Sequence, residues 1–396
     1  MSIVTKECHL NRQITQTLTA CAYAPIDFEV ARGKLGTLLT SYRYKMPQIN
    51  LKSSPLCIGI LGCANISKQF VRDNADNEKI TFAAVASRRL EVAVEFAKHY
   101  GIERSFGTYD ELLADKCIDA VYIPVPNSLH AHWAIKAAEA GKHVLCEKPL
   151  ALNQVEARSM FAAASDHGVM LLESFPYEFQ PQTRTILDLI NRGSIGTVRT
   201  VQACFGFTMA NANTNIRSNP DLGGGALLDA GSYPVSFIRL VMGSAPVQVM
   251  ADSTWTESGV DISTTATLYY ADGRRAQLSC AMNMANHRRA TIVGSAGTIE
   301  TEYLNHTAAR ADESPYGYLP SQLRLRRGTA NTIEFEEITS DTGSGFRFAA
   351  EAFADLIATK NFTVINLHAQ ASLDNAATLE ALSRSTKSGE RVAVNI

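Results

Sequence analysis

The chain has no CxxC pair, no HExxH, and no uninterrupted apolar stretch approaching the ~20 residues of a membrane span. Formal net charge is only −2, so nothing marks a nucleic-acid or membrane partner. Low-complexity tracts and internal repeats are missing too. The nine histidines offer no paired metal-ligand spacing: the one close pair, His130 and His132, falls two apart on an expected helix, so no metal site is expected. The eight cysteines are scattered, several inside apolar runs, as in a protein of reduced, buried thiols; a cytoplasmic location is the expectation.

With 396 residues, 46% hydrophobic and 19% charged, the chain can bury a sizeable core, and two domains are the natural division. Residues 1–55 stand apart. They hold seven Lys/Arg against three acids, and no apolar segment follows a basic start, so a secretory signal is not expected. A flexible or partly docked arm is the plain reading; an organelle transit peptide or an oligomer-clasping arm is the alternative.

Between residues 56 and 174 short apolar runs alternate with segments of helical spacing. The runs are CIGIL (57–61), TFAAVAS (81–87), DAVYIPV (119–125), HVLCE (143–147) and VMLLESF (169–175); helices are expected over 90–100, 129–140 and 154–167. Continuous apolar strands alternating with helices imply a parallel sheet covered on both faces, a doubly wound dinucleotide-binding domain. From residue 175 to 396 the pattern changes to alternating segments rich in Thr, Val and Tyr, with Asp272-Gly273 as a hairpin turn and two closing helices near 346–359 and 369–388. This half is expected to form a large, mostly antiparallel open sheet, giving an α/β protein of two unlike domains.

The first strand runs into Gly62-Cys63-Ala64-Asn65-Ile66-Ser67, a degenerate G-x-G-x-x-G. Gly62 permits the tight turn, Ala64 adds only a methyl near a pyrophosphate, and Ser67 is small enough for helix–strand packing. The amides of Asn65 and Ile66 open a helix whose positive end suits phosphate. An ordinary βα turn is the alternative. The second strand ends in Ser87-Arg88-Arg89, 25 residues beyond Gly62, with no acid before Glu91. A hydroxyl and a guanidinium there suit a 2′-phosphate, which favours NADP(H) over NAD(H). Pro124 and Pro126 close the third strand, Asn127 or Ser128 can cap the next helix, and His130 either faces the cofactor or packs in the first helical turn.

Four segments, in order, carry a resemblance: Gly62-x-Ala64-x-x-Ser67, PVPNSLH (124–130), EKPLAL (147–152) and GGGALLDAGSYPV (223–235). Over residues 56–396 the chain resembles the glucose–fructose oxidoreductase / inositol dehydrogenase (Gfo/Idh/MocA) family. Within it, the likeness is greatest to dimeric dihydrodiol dehydrogenases, NADP-dependent xylose dehydrogenases, anhydrofructose reductases and nucleotide-sugar 3-ketoreductases. The resemblance implies a Rossmann domain, a second α/β domain whose open sheet often forms a dimer interface, and hydride transfer between nicotinamide and a sugar or related cyclic polyol or ketone. It places Lys148 beside nicotinamide and substrate, with a cis Lys148–Pro149 bond that Pro tolerates best, and Glu147 at the cofactor.

In the second half, Asp221 is expected to cap a helix that carries Asp229 and Tyr233 on one face, with Gly223–Gly225 admitting a ligand and Pro234 kinking the helix just beyond. Tyr233 fills the position of a family histidine, and Asp229 matches the family's aspartate. Tyr233 is the expected acid/base and Lys148 the orienting, polarising group, its charge lowering the phenol's pKa; the reverse assignment stays open. Tyr177 and Arg217 are candidate substrate contacts, and Glu173 and Gln180 stand with them; Arg217 reads equally as a solvated loop residue. In ESFPYEFQPQ, Glu178 and Gln180 stand where the family usually has Arg and His, so the resemblance does not fix the substrate type. A nucleotide-sugar 3-ketoreductase is the rival enzyme. A catalytically silent cofactor sensor is the rival from another class, and it would need neither Lys148 nor Tyr233.

Overall fold

The structure, a computed structural model, describes residues 54–211, 214–302, 322–341 and 343–396. The basic segment 1–55 falls almost wholly outside the described residues. Among them, no helix is long and apolar enough to cross a membrane.

The first half is built from β1 (Leu56–Leu61), α1 (Asn65–Asp73), β2 (Ile80–Ala86), α2 (Leu90–Tyr100), β3 (Arg104–Phe106), α3 (Tyr109–Ala114), β4 (Ala120–Ile123), α4 (His130–Glu139), β5 (His143–Glu147), α5 (Gln154–Asp166) and β6 (Leu171–Ser174). The strands form one parallel sheet in the order β3-β2-β1-β4-β5-β6, the doubly wound arrangement of a dinucleotide-binding domain. Helix α2 has the expected limits, and its chain turns off at Gly101 in the left-handed region. The strand β3 and helix α3 were not expected. Three half-buried residues carry no readable period, and α3 is fixed by a capping box in which Thr108 and Glu111 satisfy each other's backbone amides.

The second half contains α6 (Pro181–Asn191), β7 (Val198–Thr208), α7 (Ala226–Asp229), α8 (Ser232–Met242), β8 (Gln248–Trp255), β9 (Asp261–Tyr269), β10 (Arg275–Ala281), β11 (Asn283–Gly294), β12 (Gly297–Thr301), β13 (Leu323–Arg327), β14 (Glu336–Ile338), α9 (Gly345–Ala358), α10 (Phe362–Ser388) and β15 (Val392–Ala393). Among the described residues, nine strands form an open sheet in the order β14-β13-β12-β11-β7-β10-β9-β8-β15. Among the described residues of this sheet, β7 and β10 pair in parallel and the other pairings are antiparallel. The Asp272-Gly273 turn joins β9 to β10, with Gly273 at φ +84°. Helix α10 begins seven residues before its expected start, because Asn361 caps it by accepting from the Val364 amide.

Alternation decides the two faces of this sheet. Val201, Ala203 and Phe205 of β7, with Leu268, Leu278 and Ile292 of β9, β10 and β11, share one buried core with Val235, Phe237 and Ile238 of α8 and Leu379 and Leu382 of α10. Each fully buried side chain of this kind contributes ~1.5–3 kcal/mol. A buried ion pair, Arg239 on α8 to Asp374 on α10 at 2.8 Å, fixes the two helices to each other. The opposite face is a shallow trough of about 590 Å³, lined by residues such as Gln202, Cys204, Asp252, Thr265 and Gln277.

Candidate active site

Strand register brings the cofactor candidates to one edge. Leu61 pairs with Ala86, so Gly62 and Ser87 leave the parallel sheet side by side. Ile60 pairs with Tyr122 and Ile123 with Cys146, so Pro124 and Glu147 emerge along the same carboxyl edge, with Lys148 one residue further. Gly62 sits at φ +125°, a conformation that side chains disfavour. Ser67, at the third position of the degenerate fingerprint, closes the turn by donating from Oγ to the Gly62 carbonyl at 2.7 Å. Ala64 precedes α1, leaving the amides of Asn65 and Ile66 without intrahelical acceptors. Ser87 is half-buried and Arg88 is exposed. A free helix amino end, a hydroxyl and an exposed guanidinium on one edge fit the pyrophosphate and 2′-phosphate of a nicotinamide dinucleotide.

The Lys148–Pro149 bond is cis. Lys148 Nζ donates to Asp229 Oδ1 at 2.8 Å and to the Asp229 carbonyl at 2.9 Å. The other carboxylate oxygen, Oδ2, accepts from Arg217 Nε at 2.6 Å. Burial pushes the Asp229 carboxyl up, but Lys148 and Arg217 together outweigh it and hold the group well below the usual carboxylate range. Lys148 Nζ also lies 4.7 Å from the centre of the Tyr233 ring. Behind the lysine, Glu147 is buried and accepts from the Tyr122 hydroxyl at 2.7 Å; burial raises its carboxyl, against the pull of Tyr122 and Lys148.

Lys148, Asp229, Arg217 and Tyr233 therefore meet where the parallel sheet faces the helices of the second half, though the local reasons differ from those expected. Asp229 and Tyr233 are not on one helix face. Asp229 ends α7, Tyr233 is the second residue of α8, and Ala230-Gly231 separates the two helices. Pro234 falls in the first turn of α8, where a missing amide costs no intrahelical hydrogen bond. Asp221 is not the cap either: Asn219 accepts from the Asp221 amide in a short 3-10 turn, and α7 is held from afar by Asp261 Oδ2, which accepts from the Leu227 amide at 2.7 Å. Gly225, at φ +114°, leaves room for that same Asp261, whose Oδ1 would lie 2.3 Å from an added Cβ. Gly223 and Gly224 likewise pack against Asn127, Leu152 and the Arg217 carbonyl. Here the glycine run admits the protein's own chain rather than a ligand. The Tyr233 phenol is also not lowered. Burial, with Glu147 and Asp229 adding to it, raises it well above its ordinary value. Lys148 meets the face of the ring, not its hydroxyl.

Three further candidates turn inward. His130 is 1% exposed, and its ring nitrogens lie 2.8 Å from the Pro149 carbonyl and 2.9 Å from the Val125 carbonyl, so it braces two loops instead of facing a cofactor. Asn127 caps no helix; its side-chain amide donates to the Gly223 carbonyl at 2.8 Å, tying the parallel sheet to the second half. Tyr177 is fully buried, its hydroxyl 2.7 Å from Ser236 Oγ, and it backs the ring of Tyr233 without lining a crevice. Gln180 is buried too. The braces supplied by Asp261 and Tyr122 left no mark in spacing or motif, since both act across long stretches of chain.

Glu173 lies under the turn after Pro149, where Oε1 accepts from the Leu150 amide at 2.8 Å. Burial is the main cause that pushes its carboxyl up to about 8. A raised folded-state pKa contributes stability that is fully present below the unfolded value, ~4.3, and is lost as pH rises through about 8. Glu173→Gln should remove that part of the pH dependence. Unfolding midpoints measured at pH 5, 7 and 9 should show wild type falling relative to the variant; parallel curves would refute the assignment.

Residues 56–175 match the oxidoreductase family with the NAD-binding Rossmann fold, and residues 183–300 match the GFO/IDH/MocA C-terminal domain. The chain belongs to the Gfo/Idh/MocA oxidoreductase family. It is 34% identical over 342 residues to D-xylose 1-dehydrogenase (NADP(+)) 2 of Haloferax volcanii, covering 85% of this chain and 99% of that protein. A trans-1,2-dihydrobenzene-1,2-diol dehydrogenase of Xenopus tropicalis is 34% identical over 294 residues, 71% of this chain and 87% of the other. Among solved structures, the 3-ketoreductase KijD10 of Actinomadura kijaniata, in complex with NADP and TDP-benzene, superimposes with a TM-score of 0.75 at 29% identity, covering 84% of this chain and 98% of that one. This oxidoreductase thus has an NAD(P)-binding Rossmann domain joined to a second α/β domain with a large, mostly antiparallel sheet.

Proposed function

We propose that this oxidoreductase prefers NADP(H) and moves hydride between the nicotinamide and a carbinol or carbonyl carbon of a sugar or related cyclic polyol or ketone. The observation that carries the reading is the Lys148 ammonium, fixed by Asp229 and set against the Tyr233 ring at the carboxyl edge of the dinucleotide-binding sheet. The amides of Asn65 and Ile66 hold pyrophosphate, and Ser87 and Arg88 hold the 2′-phosphate. When bound, the dinucleotide supplies or accepts the hydride. The chain's own work is at the oxygen. Tyr233 is protonated at neutral pH and serves as the proton donor in carbonyl reduction; burial makes the phenol a weaker acid, so the transfer depends on the neighbouring charge. Lys148 stabilises the developing negative charge on that oxygen, and Asp229 keeps the lysine in place. A panel of aldoses, cyclic polyols, cyclic diols and their ketones, with NADP+ or NADPH and read by nicotinamide absorbance, tests this; no turnover with any of them would overturn it. The likeness to KijD10 favours one second reading, reduction of a nucleotide-linked 3-keto sugar, and such a substrate belongs in the same panel.

Arg88→Ala should reduce the preference for NADP(H) by roughly tenfold or more, since a charge-assisted bond to phosphate contributes ~1.5–3 kcal/mol. Titration of both cofactors against both proteins measures it; equal affinity of wild type for NADP(H) and NAD(H) would rule the preference out.

The outer face of the nine-stranded sheet is the natural place for a second copy, because an open sheet is stabilised by cover on both faces. We expect a homodimer or higher assembly. Sedimentation at micromolar concentration reads the mass, and a monomer would contradict the expectation.

A further inference from the structure

Tyr233 is held by more than the lysine. Phe205 of β7 lies parallel to its ring, with centroids 4.7 Å apart and planes 11° from coincidence, and Phe205 is itself 4% exposed. The Arg288 guanidinium carbon lies 5.1 Å from the centre of the Phe205 ring. Arg288 pairs directly with Phe205 across β11 and β7, just past a register shift between Asn283 and His287. Phe175 meets another side of the Tyr233 ring at 5.6 Å and 78°. Two rings and two cations so form a connected run: Lys148, Tyr233, Phe205, Arg288.

We propose that Phe205 is a positioning residue for the Tyr233 hydroxyl, with Arg288 anchoring Phe205 in turn. A phenol can transfer a proton only from one direction, and that direction is set by the ring's two side-chain torsions. Stacking on one face and edge contact on another remove the freedom of both torsions without touching the hydroxyl. Neither ring contact spends a hydrogen bond, so the hydroxyl stays available to substrate. Offset or parallel aromatic pairs contribute ~0.5–1.5 kcal/mol beyond area burial, and a cation over a ring a similar amount, enough to favour one ring orientation over its neighbours. Phe205 is here specific to positioning: it has no titratable group and reaches the chemistry only through Tyr233.

The inference rests on Tyr233 exchanging the proton, and a four-protein comparison separates the two claims. Wild type, Phe205→Leu, Tyr233→Phe and the double variant are assayed for kcat, KM and cofactor affinity, with circular dichroism to confirm folding. Phe205→Leu should lower kcat by roughly tenfold or more, as small misplacements of a reacting group do, with KM and cofactor affinity nearly unchanged. In the Tyr233→Phe background the same substitution should have little further effect, because no hydroxyl remains to be aimed. Phe205→Met, whose flexible chain fills irregular gaps but lacks the flat ring, repeats the test should the leucine variant fold poorly. Arg288→Gln should give a smaller loss of the same kind. A Phe205 effect of equal size in both backgrounds, or one confined to KM, would overturn the positioning role while leaving the proton role standing. Near wild-type kcat in Tyr233→Phe alone would overturn the proton role, and the positioning role with it.

Discussion

Tyr233→Phe should lower the turnover rate by ~10²–10⁴-fold, the usual loss when a positioned acid/base is removed. The substitution keeps the ring, and with it the contacts to Phe205, Phe175 and Lys148 that bury the residue to 5% exposure. Folding should be preserved and cofactor affinity should barely move, since the phenol belongs to the second half of the chain and the phosphate candidates lie along the far strands of the first. Steady-state rates with a substrate from the panel, alongside cofactor titration, measure both quantities. Near-normal turnover in a folded variant would mean that Lys148 handles the proton. Tyr177 is a poor substitute, because its hydroxyl is engaged with Ser236 inside the core.

The second large effect is at Asp229. Its two carboxylate oxygens accept from two different cations, so Asp229→Asn leaves Lys148 and Arg217 side by side with no anion between them. Removing one partner of a buried pair destabilises by ~3–5 kcal/mol. Arg217 is 40% exposed and partly hydrated, so the expected loss lies toward the lower end of that range. Activity should fall further than stability explains, because the lysine loses its tether: roughly 10²-fold or more in kcat/KM, as for the loss of one preorganised electrostatic group. Denaturant unfolding and steady-state kinetics read the two losses separately. The pH dependence gives a third reading. A carboxyl whose folded-state pKa is depressed contributes stability that is present above its unfolded value, ~3.9, and lost as pH falls through the lower folded value. The asparagine variant should lack that acid-side loss. An asparagine variant with wild-type activity and the same acid unfolding would show that the triad of charges is incidental.

The parallel sheet was largely legible in the chain, because its strands are short apolar runs and its helices have clean spacing; α2 and β5 fall at their expected limits. What escaped was short or fixed from a distance. β3 is three residues long, and α3 depends on a capping box that apolar periodicity does not show. The site was legible in its membership more than in its construction. A spacing of four between Asp229 and Tyr233 suggested one helix, yet a helix break at Ala230-Gly231 brings the two together just as well. The Gly223–Gly225 run signalled close approach, but a glycine records only that something comes near, not whether it is ligand or backbone. Likewise, a polar residue in a motif segment can face a ligand or pack inward, the two readings that stand open for His130 in the sequence. His130 and Tyr177 show the alternative use of the same chemistry, a buried polar group satisfied by the protein and stiffening what lies in front of it.

Lys148 and Tyr233 work as one unit on one oxygen. The most direct test is the rate of hydride transfer in Lys148→Ala, Tyr233→Phe and the double variant, each saturated with cofactor and followed by nicotinamide absorbance in a single turnover. If the pair acts as a unit, the double variant is little slower than the slower single variant. If the two losses multiply, each residue acts independently and the claim is contradicted.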